Sequence, residues 1–235
     1  MHIGTSGWSY EHWKEIFYPE GLKPTSWLHY YSQFFSTVEV NTTFYHTPSQ
    51  KTVENWYSGV LEDFIFSIKT NRYITHLKKL KDCKGSLKIF YKSLENFKGK
   101  VGPILVQLPP SFKINNERLI EFISELDTKY QHVFEFRHES WFVDRVYEVL
   151  AHQNMALCIT DLNGKLSPEE ITADFTYIRL HGPKKAYKGS YGPAHLKIWK
   201  KKIETWAAQG SVYCYFDNDE KSYAIKDAQF LQKIL

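Results

Sequence analysis

The chain has 235 residues, of which 43% are hydrophobic and 17% aromatic, so it can bury the core of one large domain. Its formal net charge is +4, from 30 Lys and Arg against 26 Asp and Glu, and this weak, dispersed excess does not indicate a nucleic-acid-binding protein. No apolar run approaches the about 18 residues of a membrane span. The N-terminus starts with strand-like sequence rather than a signal peptide. Three cysteines without CxxC spacing argue against a disulfide framework or zinc ribbon. We therefore expect a cytoplasmic protein without a membrane partner.

Strands and helices alternate along the chain. Eight segments have strand character, at about 2–8, 37–44, 64–70, 102–108, 132–138, 155–161, 175–181 and 211–217. Apolar residues at helical spacing fill most of the gaps, most clearly Leu119, Phe122, Ile123, Leu126 and Tyr130. Eight such units predict an α/β fold, a closed parallel (β/α)8 barrel of the TIM type, formed by residues 1–235 as a single domain. An open doubly wound sheet is the alternative.

One connection departs from this pattern. The segment from Leu162 to Asp174 contains Pro168 and little helical periodicity. We therefore expect the helix between the sixth and seventh strands to be missing or degenerate.

The predicted strands have one apolar face and one face that turns polar toward the carboxyl end. In the fifth strand, Phe134 and Phe136 alternate with Glu135 and Arg137. A barrel explains this division, because the apolar face packs under the helices and the polar strand ends converge at the mouth, where barrel enzymes build active sites. The predicted polar ring consists of Glu39, Asn41, Lys69, Gln107, Glu135, Arg137, Asp161, Arg179, His181 and Asp217.

The ring combines four acids, three bases and one histidine, a near balance that burial requires because unpaired buried charges are costly. It could be a purely structural ion-pair network that plugs the barrel. However, barrel interiors are normally filled by branched apolar residues, and apolar replacements of such networks are often neutral or stabilising. Polar residues at most strand ends therefore favour a functional site.

Side-chain chemistry gives each candidate a role. His181 is the candidate general acid or base, since the ordinary pKa of histidine lies nearest to neutral pH. Arg137 either holds Glu135 ionised in a mutual salt bridge or binds an anionic substrate through its planar guanidinium. Lys69 is a charge partner for Glu39, an anion contact or a Schiff-base nucleophile. The predicted catalytic set is Glu39, Lys69, Glu135, Arg137, Asp161 and His181.

The loop after the seventh strand, residues 182–192, combines glycines, lysines and tyrosines. Barrels often bind phosphate in this position, so with Arg179 beneath it the loop indicates an anionic, phosphate-bearing substrate, while a solvated loop is the alternative. Aromatic residues after strands one, two and five form either a rim for a sugar or base, or core packing. They are Trp8, Tyr10, Tyr45 and Trp141. The predicted substrate-binding set is Trp8, Asn41, Gln107, Arg179, Lys184, Tyr191 and Asn218.

No cofactor is predicted, because GxSxG, GxxxxGK[ST] and GxGxxG motifs do not occur. The acids of the ring and His181 could ligate a divalent metal, but the cations beside them and the lack of HExxH argue against a strong metal site. Three hypotheses follow. The first is an enzyme that acts on a small polar or anionic substrate by acid–base catalysis, whether as hydrolase, lyase or isomerase. The others are a divalent-metal-dependent enzyme acting on phosphodiesters or nucleic acid, and a non-catalytic anion-binding or sensor module.

Motifs spread over the whole chain resemble those of one family. They are GTSGWSY (4–10), FYP (17–19), VEVNTTFY (38–45), Lys69 with ITH (74–76), QLPPSF (107–112), EFRHESW (135–141), RLHG (179–182) and YFDN (215–218). Together they resemble the YecE-like proteins, domain-of-unknown-function family 72. The resemblance implies a TIM-type barrel with a short connection between strands six and seven, and no assigned activity. The family often has Asn-Asn where this chain has Asp217-Asn218, so Asp217 is the ring member least expected to be essential.

Overall fold

The computed structural model describes residues 1–235. Its strands are β1 (His2–Thr5), β2 (Thr37–Val40), β3 (Ile65–Lys69), β4 (Val101–Gln107), β5 (His132–Glu135), β6 (Ala156–Leu162), β7 (Lys165–Leu166), β8 (Phe175–Leu180) and β9 (Ser211–Phe216). Its α-helices are α1 (Trp27–Ser32), α2 (Gln50–Ser58), α3 (Lys84–Leu94), α4 (Asn116–Ser124), α5 (Asp144–His152), α6 (Gly192–Ala207) and α7 (Tyr223–Ile234). None of the helices combines the length and apolar content that crossing a bilayer requires.

All strands except β7 form a parallel barrel in the order β1-β9-β8-β6-β5-β4-β3-β2. The first barrel strand lies beside the last, because β1 pairs in register with β9. The barrel closes between β1 and β2 through a single parallel bridge, Ser6–Glu39. The predicted (β/α)8 barrel is confirmed, and with it the convergence of the strand ends at one mouth.

The connection between β6 and β8 has no helix, as predicted. Instead β6 turns into the two-residue strand β7 as an antiparallel hairpin, with Leu162 opposite Lys165. The turn is Asn163-Gly164, and both residues have positive φ (56° and 70°), which is the backbone that a tight hairpin requires and that this pair adopts readily. Beyond the hairpin, the hydroxyl of Thr172 accepts a hydrogen bond from the Leu157 amide (2.8 Å) and fixes the segment to β6.

The core has two parts that follow the alternation of the strands. The larger part lies between the barrel and its helices and includes Val38, Val40, Phe134 and Phe136. The smaller part fills the barrel interior, where Leu105, Val133, Ala156, Cys158, Phe175, Tyr177, Tyr213 and Tyr215 pack together. Interior positions nearer the carboxyl ends of the strands are polar. The barrel is therefore sealed below the mouth, and the polar ring sits on an apolar and aromatic floor.

Candidate active site at the barrel mouth

Arg179 on β8 is the centre of the polar ring. It is 1% exposed, and its guanidinium makes hydrogen bonds to three carboxylates, those of Glu39, Glu135 and, at a longer 3.4 Å, Asp217. Nε and Nη2 donate to Oε2 and Oε1 of Glu39 at 2.9 and 2.7 Å, and Nη1 donates to Oε2 of Glu135 at 2.7 Å. Burial acts to lower the pKa of Arg179, but Glu39 and Glu135 raise it well above its ordinary value. The guanidinium is therefore a permanent positive charge that holds β2, β5 and β8 together.

Glu39 on β2 is saturated with hydrogen-bond donors. Besides the two bonds from Arg179, its carboxylate accepts bonds from Ser6 Oγ (2.7 Å), Tyr177 OH (2.7 Å) and Asn41 Nδ2 (3.2 Å). Every lone-pair direction of the carboxylate is occupied, which disfavours proton transfer at this group. In this geometry Glu39 orients Arg179, and it does not face the solvent at the mouth.

Glu135 ends β5, and Arg137 follows it on the same side of the strand. Nε of Arg137 makes an ion pair with Oε1 of Glu135. Burial acts to raise the pKa of Glu135, but Arg137 and Arg179 hold it below its usual range. The predicted mutual salt bridge is present. It leaves Nη1 of Arg137 without a hydrogen-bond partner, and the Arg137 side chain is 10% exposed at the mouth.

His181, directly after β8, is fully buried between an acid and two bases. Its Nδ1 lies 2.9 Å from Oδ2 of Asp217, and its Nε2 lies 3.0 Å from Arg137 Nη2 and 3.3 Å from Arg179 Nη1. Guanidinium nitrogens only donate, so Nε2 is the acceptor and Nδ1 carries the proton that Asp217 accepts. Burial, and next Arg179, lower the pKa of His181 despite Asp217. The resting imidazole is therefore neutral.

Lys69 ends β3 and differs from the other cations, because no carboxylate lies within ion-pair distance. Its ammonium is 4.4 Å from the centroid of the Phe44 ring, a cation–π contact. Burial, and next the charge of Arg179, lower the pKa of Lys69 to about 8. The predicted pairing of Lys69 with Glu39 is not formed, because Arg179 already occupies that carboxylate.

His76 is a further titratable group near Lys69 that the sequence analysis did not assign to the site. It lies on the π-helical turn Tyr73–Leu77 after β3 and packs edge-on against Phe44 at 4.8 Å. Burial, and next Lys69 and Arg72, lower its pKa to about 4. A neutral imidazole therefore stands beside the lysine. The hint in the sequence is the stretch ITH (74–76), which ends in His76 and belongs with Lys69 to the motifs of the family resemblance.

Asp161 does not belong to the ring, contrary to the sequence-based prediction. It shares its strand face with Leu157 and Ile159, which pack in the outer core between barrel and helices. Its carboxylate lies near the Tyr191 hydroxyl, and burial raises its pKa. The ring without Asp161 contains three acids, three bases and one histidine, which is an exact charge balance when the histidine is neutral.

Four residues of the predicted binding set are also away from the mouth. Trp8 is buried edge-on against Trp56 in the outer core. The buried Tyr191 hydroxyl accepts the Gly182 amide proton at 3.0 Å. Asn218 donates at 2.8 Å to the Gly189 carbonyl and to Asp227, so Tyr191 and Asn218 support the base of the loop. The Lys184 side chain is exposed on that loop.

The remaining predicted residues do line the mouth. Gln107 ends β4 in register with Glu135 and is partly exposed. Asn41 donates to Glu39, and its own Oδ1 has no partner. The aromatic rim is different from the expected one, because Trp141 is buried against Phe136. Tyr187, on the loop after β8, lies at the rim instead. Its ring is edge-on to that of His181, with 5.5 Å between the centroids.

A cleft of about 560 Å³ opens next to the mouth, between the segment after β5 and the β6–β7 hairpin. Its walls include Arg137, His138, Phe142, Asn163, Lys165 and Leu166. Arg137 belongs both to the ring and to this cleft, so a ligand in the cleft can reach the exposed edge of its guanidinium. No group of three or more His, Cys, Asp or Glu side chains is arranged to hold a metal ion.

Comparisons with known proteins agree with the barrel and its motifs. A family model described as protein of unknown function DUF72 matches residues 2–235. The UPF0759 protein YecE of Escherichia coli K12 is 29% identical over 143 residues, covering 60% of this chain and 50% of the relative's length. The UPF0759 protein YunF of Bacillus subtilis is 24% identical over 269 residues, covering 100% of this chain and 94% of that relative.

A solved structure supports the same assignment. A DUF72 family protein of Thermotoga maritima superposes with a TM-score of 0.89 at 30% identity, covering 99% of this chain and 98% of the other. Both the family model and this structure extend over nearly the whole chain, whereas the alignment with the E. coli relative spans half of that protein. The chain therefore belongs to the YecE-like DUF72 family.

Proposed function

We propose that this protein is an enzyme that binds a small anionic substrate at the barrel mouth and acts on it by acid–base catalysis. One observation carries the proposal: the acids Glu39 and Glu135 are fully buried and already paired, whereas Lys69 and Arg137 reach the mouth. The third acid, Asp217, is 19% exposed but is paired with His181 and Arg179, so the charge left unpaired at the mouth is positive, although the ring as a whole is neutral.

Lys69 and Arg137 are suited to bind the anionic group of the substrate. Lys69 has no carboxylate partner, and Nη1 of Arg137 is left over from the bonds to Glu135 and His181. Charges in a poorly solvated mouth attract an anion more strongly than they do in bulk water. The adjoining cleft offers room for the body of the substrate beside Arg137.

His181 is the proposed base, and Arg137 controls its availability. In the resting site Nε2 of His181 accepts a hydrogen bond from Arg137 at 3.0 Å and a longer one from Arg179 at 3.3 Å, so its lone pair is not free. A substrate anion that draws the guanidinium of Arg137 outward removes the shorter of these two bonds and opens Nε2 to a proton from the bound substrate. Asp217, which accepts the Nδ1 proton, stabilises the imidazolium that forms. Binding of the anion thus activates the base.

Calorimetric titration with inorganic phosphate tests the binding part of this proposal. We expect phosphate to bind the wild type. Lys69→Met should weaken binding at least tenfold, since a lost charge-assisted contact costs about 1.5–3 kcal/mol. Lys184→Met, on the exposed loop, should change the affinity by no more than about twofold. Lys88→Met, exposed on α3, is the matched surface control. Equal binding by Lys69→Met and wild type would refute the mouth as the anion site, and a loss in Lys184→Met would transfer it to the loop.

The catalytic part needs a separate measurement. Wild type and His181→Ala are incubated with a panel of small phosphate esters and carboxylates, and proton NMR follows both conversion and hydrogen exchange with deuterated water. Conversion or exchange that depends on His181 supports an enzyme. Phosphate binding without either one across the panel would instead identify an anion-binding module.

A further inference from the structure

We propose that Lys69 is the nucleophile of this site and forms an imine with a carbonyl group, so that the substrate is a small aldehyde or ketone that carries an anionic group. This inference rests on the proposed function for the anionic group and adds a covalent step to it.

Lys69 occupies a rigid position in the barrel. Its main chain is fixed at the end of a barrel strand, because Lys69 pairs with Leu105 on β4 and its carbonyl accepts a hydrogen bond from Thr43 Oγ1 at 2.7 Å. A rigid strand end holds a reacting atom more precisely than a loop does. Exposed Lys184, on the loop after β8, has no such support.

The ammonium group of Lys69 has no carboxylate counter-ion. All three acids of the ring are already engaged: Glu39 by Arg179, Glu135 by both arginines, and Asp217 by His181. Lys69 faces the Phe44 ring instead, and its burial lowers the pKa of the ammonium. With a pKa of about 8, roughly a tenth of the side chain is neutral at pH 7, far more than for an ordinary lysine.

The chemical step balances without another reactant. The ammonium of Lys69 gives up a proton, and its lone pair attacks the carbonyl carbon while the carbonyl oxygen is protonated. The resulting carbinolamine then loses water, so the carbonyl oxygen leaves with two hydrogens that came from the nitrogen, and a protonated C=N bond replaces C=O. The face of Phe44 stabilises the positive charge on this nitrogen before and after the step. The iminium draws electrons from the neighbouring carbon, whose proton His181 can then remove.

Pyridoxal 5′-phosphate is a suitable probe, since it is an aldehyde that carries a phosphate group. The protein is incubated with it at pH 7, reduced with sodium borohydride, and digested for peptide mass spectrometry. We expect Lys69 to be modified roughly tenfold or more faster than exposed Lys88, because its neutral fraction is larger. The rate of modification at Lys69 should level off above about pH 8, and inorganic phosphate should slow it.

Lys69→Arg separates this inference from the proposed function. The variant cannot form an imine, so it should lose the labelled peptide whatever its affinity for phosphate, while Lys88→Arg keeps the label at Lys69. Labelling of surface lysines without labelling of Lys69 in the wild type would overturn the imine, even if phosphate titration still shows an anion site. This result needs no variant and therefore holds whether or not Lys69→Arg folds.

Discussion

Arg179 and Glu39 form a doubly hydrogen-bonded ion pair between residues 140 positions apart in the chain, with N–O distances of 2.9 and 2.7 Å. Both side chains are almost completely buried. A buried pair of this kind adds little net stability, because desolvation offsets much of the attraction. Its loss is costly, since the remaining charge has no partner. The pair therefore fixes the shape of the mouth more than it stabilises the barrel.

Glu39→Ala should lower the free energy of unfolding by about 3–5 kcal/mol, because Arg179 would be buried with one carboxylate fewer and Tyr177 and Ser6 would lose their acceptor. Urea denaturation followed by tryptophan fluorescence measures the loss. Glu148→Ala, exposed on α5, should change stability by no more than about 0.5 kcal/mol. A loss below about 1 kcal/mol for Glu39→Ala would show that Arg179 finds another partner.

Asp217→Asn should lower the pKa of His181 further, because the carboxylate raises that pKa through its hydrogen bond and its charge. Nitrogen NMR of labelled histidine measures both the pKa and the tautomer of the ring. Asp219→Asn is the control, since Asp219 bonds to Trp13 rather than to His181. An unchanged His181 signal in Asp217→Asn would mean that the pair does not form in solution.

Acid should destabilise the protein partly through His132. This side chain is buried at the start of β5, with its Nε2 3.0 Å from the Tyr91 hydroxyl, and burial lowers its pKa from 6.5 to about 4. As the pH falls, the unfolded chain therefore takes up a proton at His132 at a higher pH than the folded protein does. The contribution of neutral His132 to stability is complete above pH 6.5 and is lost as the pH falls toward 4. The loss amounts to at most about 3 kcal/mol.

Urea midpoints measured between neutral pH and pH 4 test this expectation. His132→Gln should reduce the slope of stability against pH by about one proton, while His76 and His181, whose pKa values are also lowered, retain part of it. His152→Gln, exposed on α5, is the surface control. Identical slopes for wild type and His132→Gln would contradict the buried neutral state.

Gly182→Ala should disturb the loop that places Tyr187 over His181. Gly182 has a φ of 126°, and a Cβ there would lie 2.5 Å from the Lys185 carbonyl oxygen and 2.6 Å from that of Lys188. Gly189 also has a positive φ (78°), but its Cβ would meet no atom. Gly189→Ala should therefore lower the free energy of unfolding by about 1 kcal/mol, which is the cost of backbone strain alone. Gly182→Ala should lower it clearly more, and calorimetric melting curves measure the difference. Equal costs would contradict the steric argument.

The strand alternation predicted most of the ring, because the side of a residue on a strand is a local property. Glu135 and Arg137 face the mouth and Phe134 and Phe136 the helices, as predicted from their alternation. The same rule, applied strictly, places Asp161 with Leu157 and Ile159 outside the barrel rather than in the predicted ring, and this agrees with the structure.

Strand alternation does not predict where the side chains of loop residues lie, because contacts with distant parts of the chain fix them. Tyr191 and Asn218 turn away from the mouth since Asp227, on α7, binds the Tyr191 amide and the Asn218 side chain. Tyr187 reaches His181 through a left-handed backbone (φ 62°) that no sequence pattern indicates. Likewise the tautomer of His181 depends on three groups, Arg137, Arg179 and Asp217, from three separate segments.

The closure of the barrel through Ser6–Glu39 has a consequence for how the chain folds during synthesis. β1 leaves the ribosome first, but the strand that pairs with it on the other side, β9, leaves last. Glu39 meets Arg179 only after β8 has been made, so a nascent chain carries an acid that has no partner and should stay hydrated. Such distant pairings make folding slow. The mouth is thus completed at the end of folding, and binding of an anion there would report a fully closed barrel.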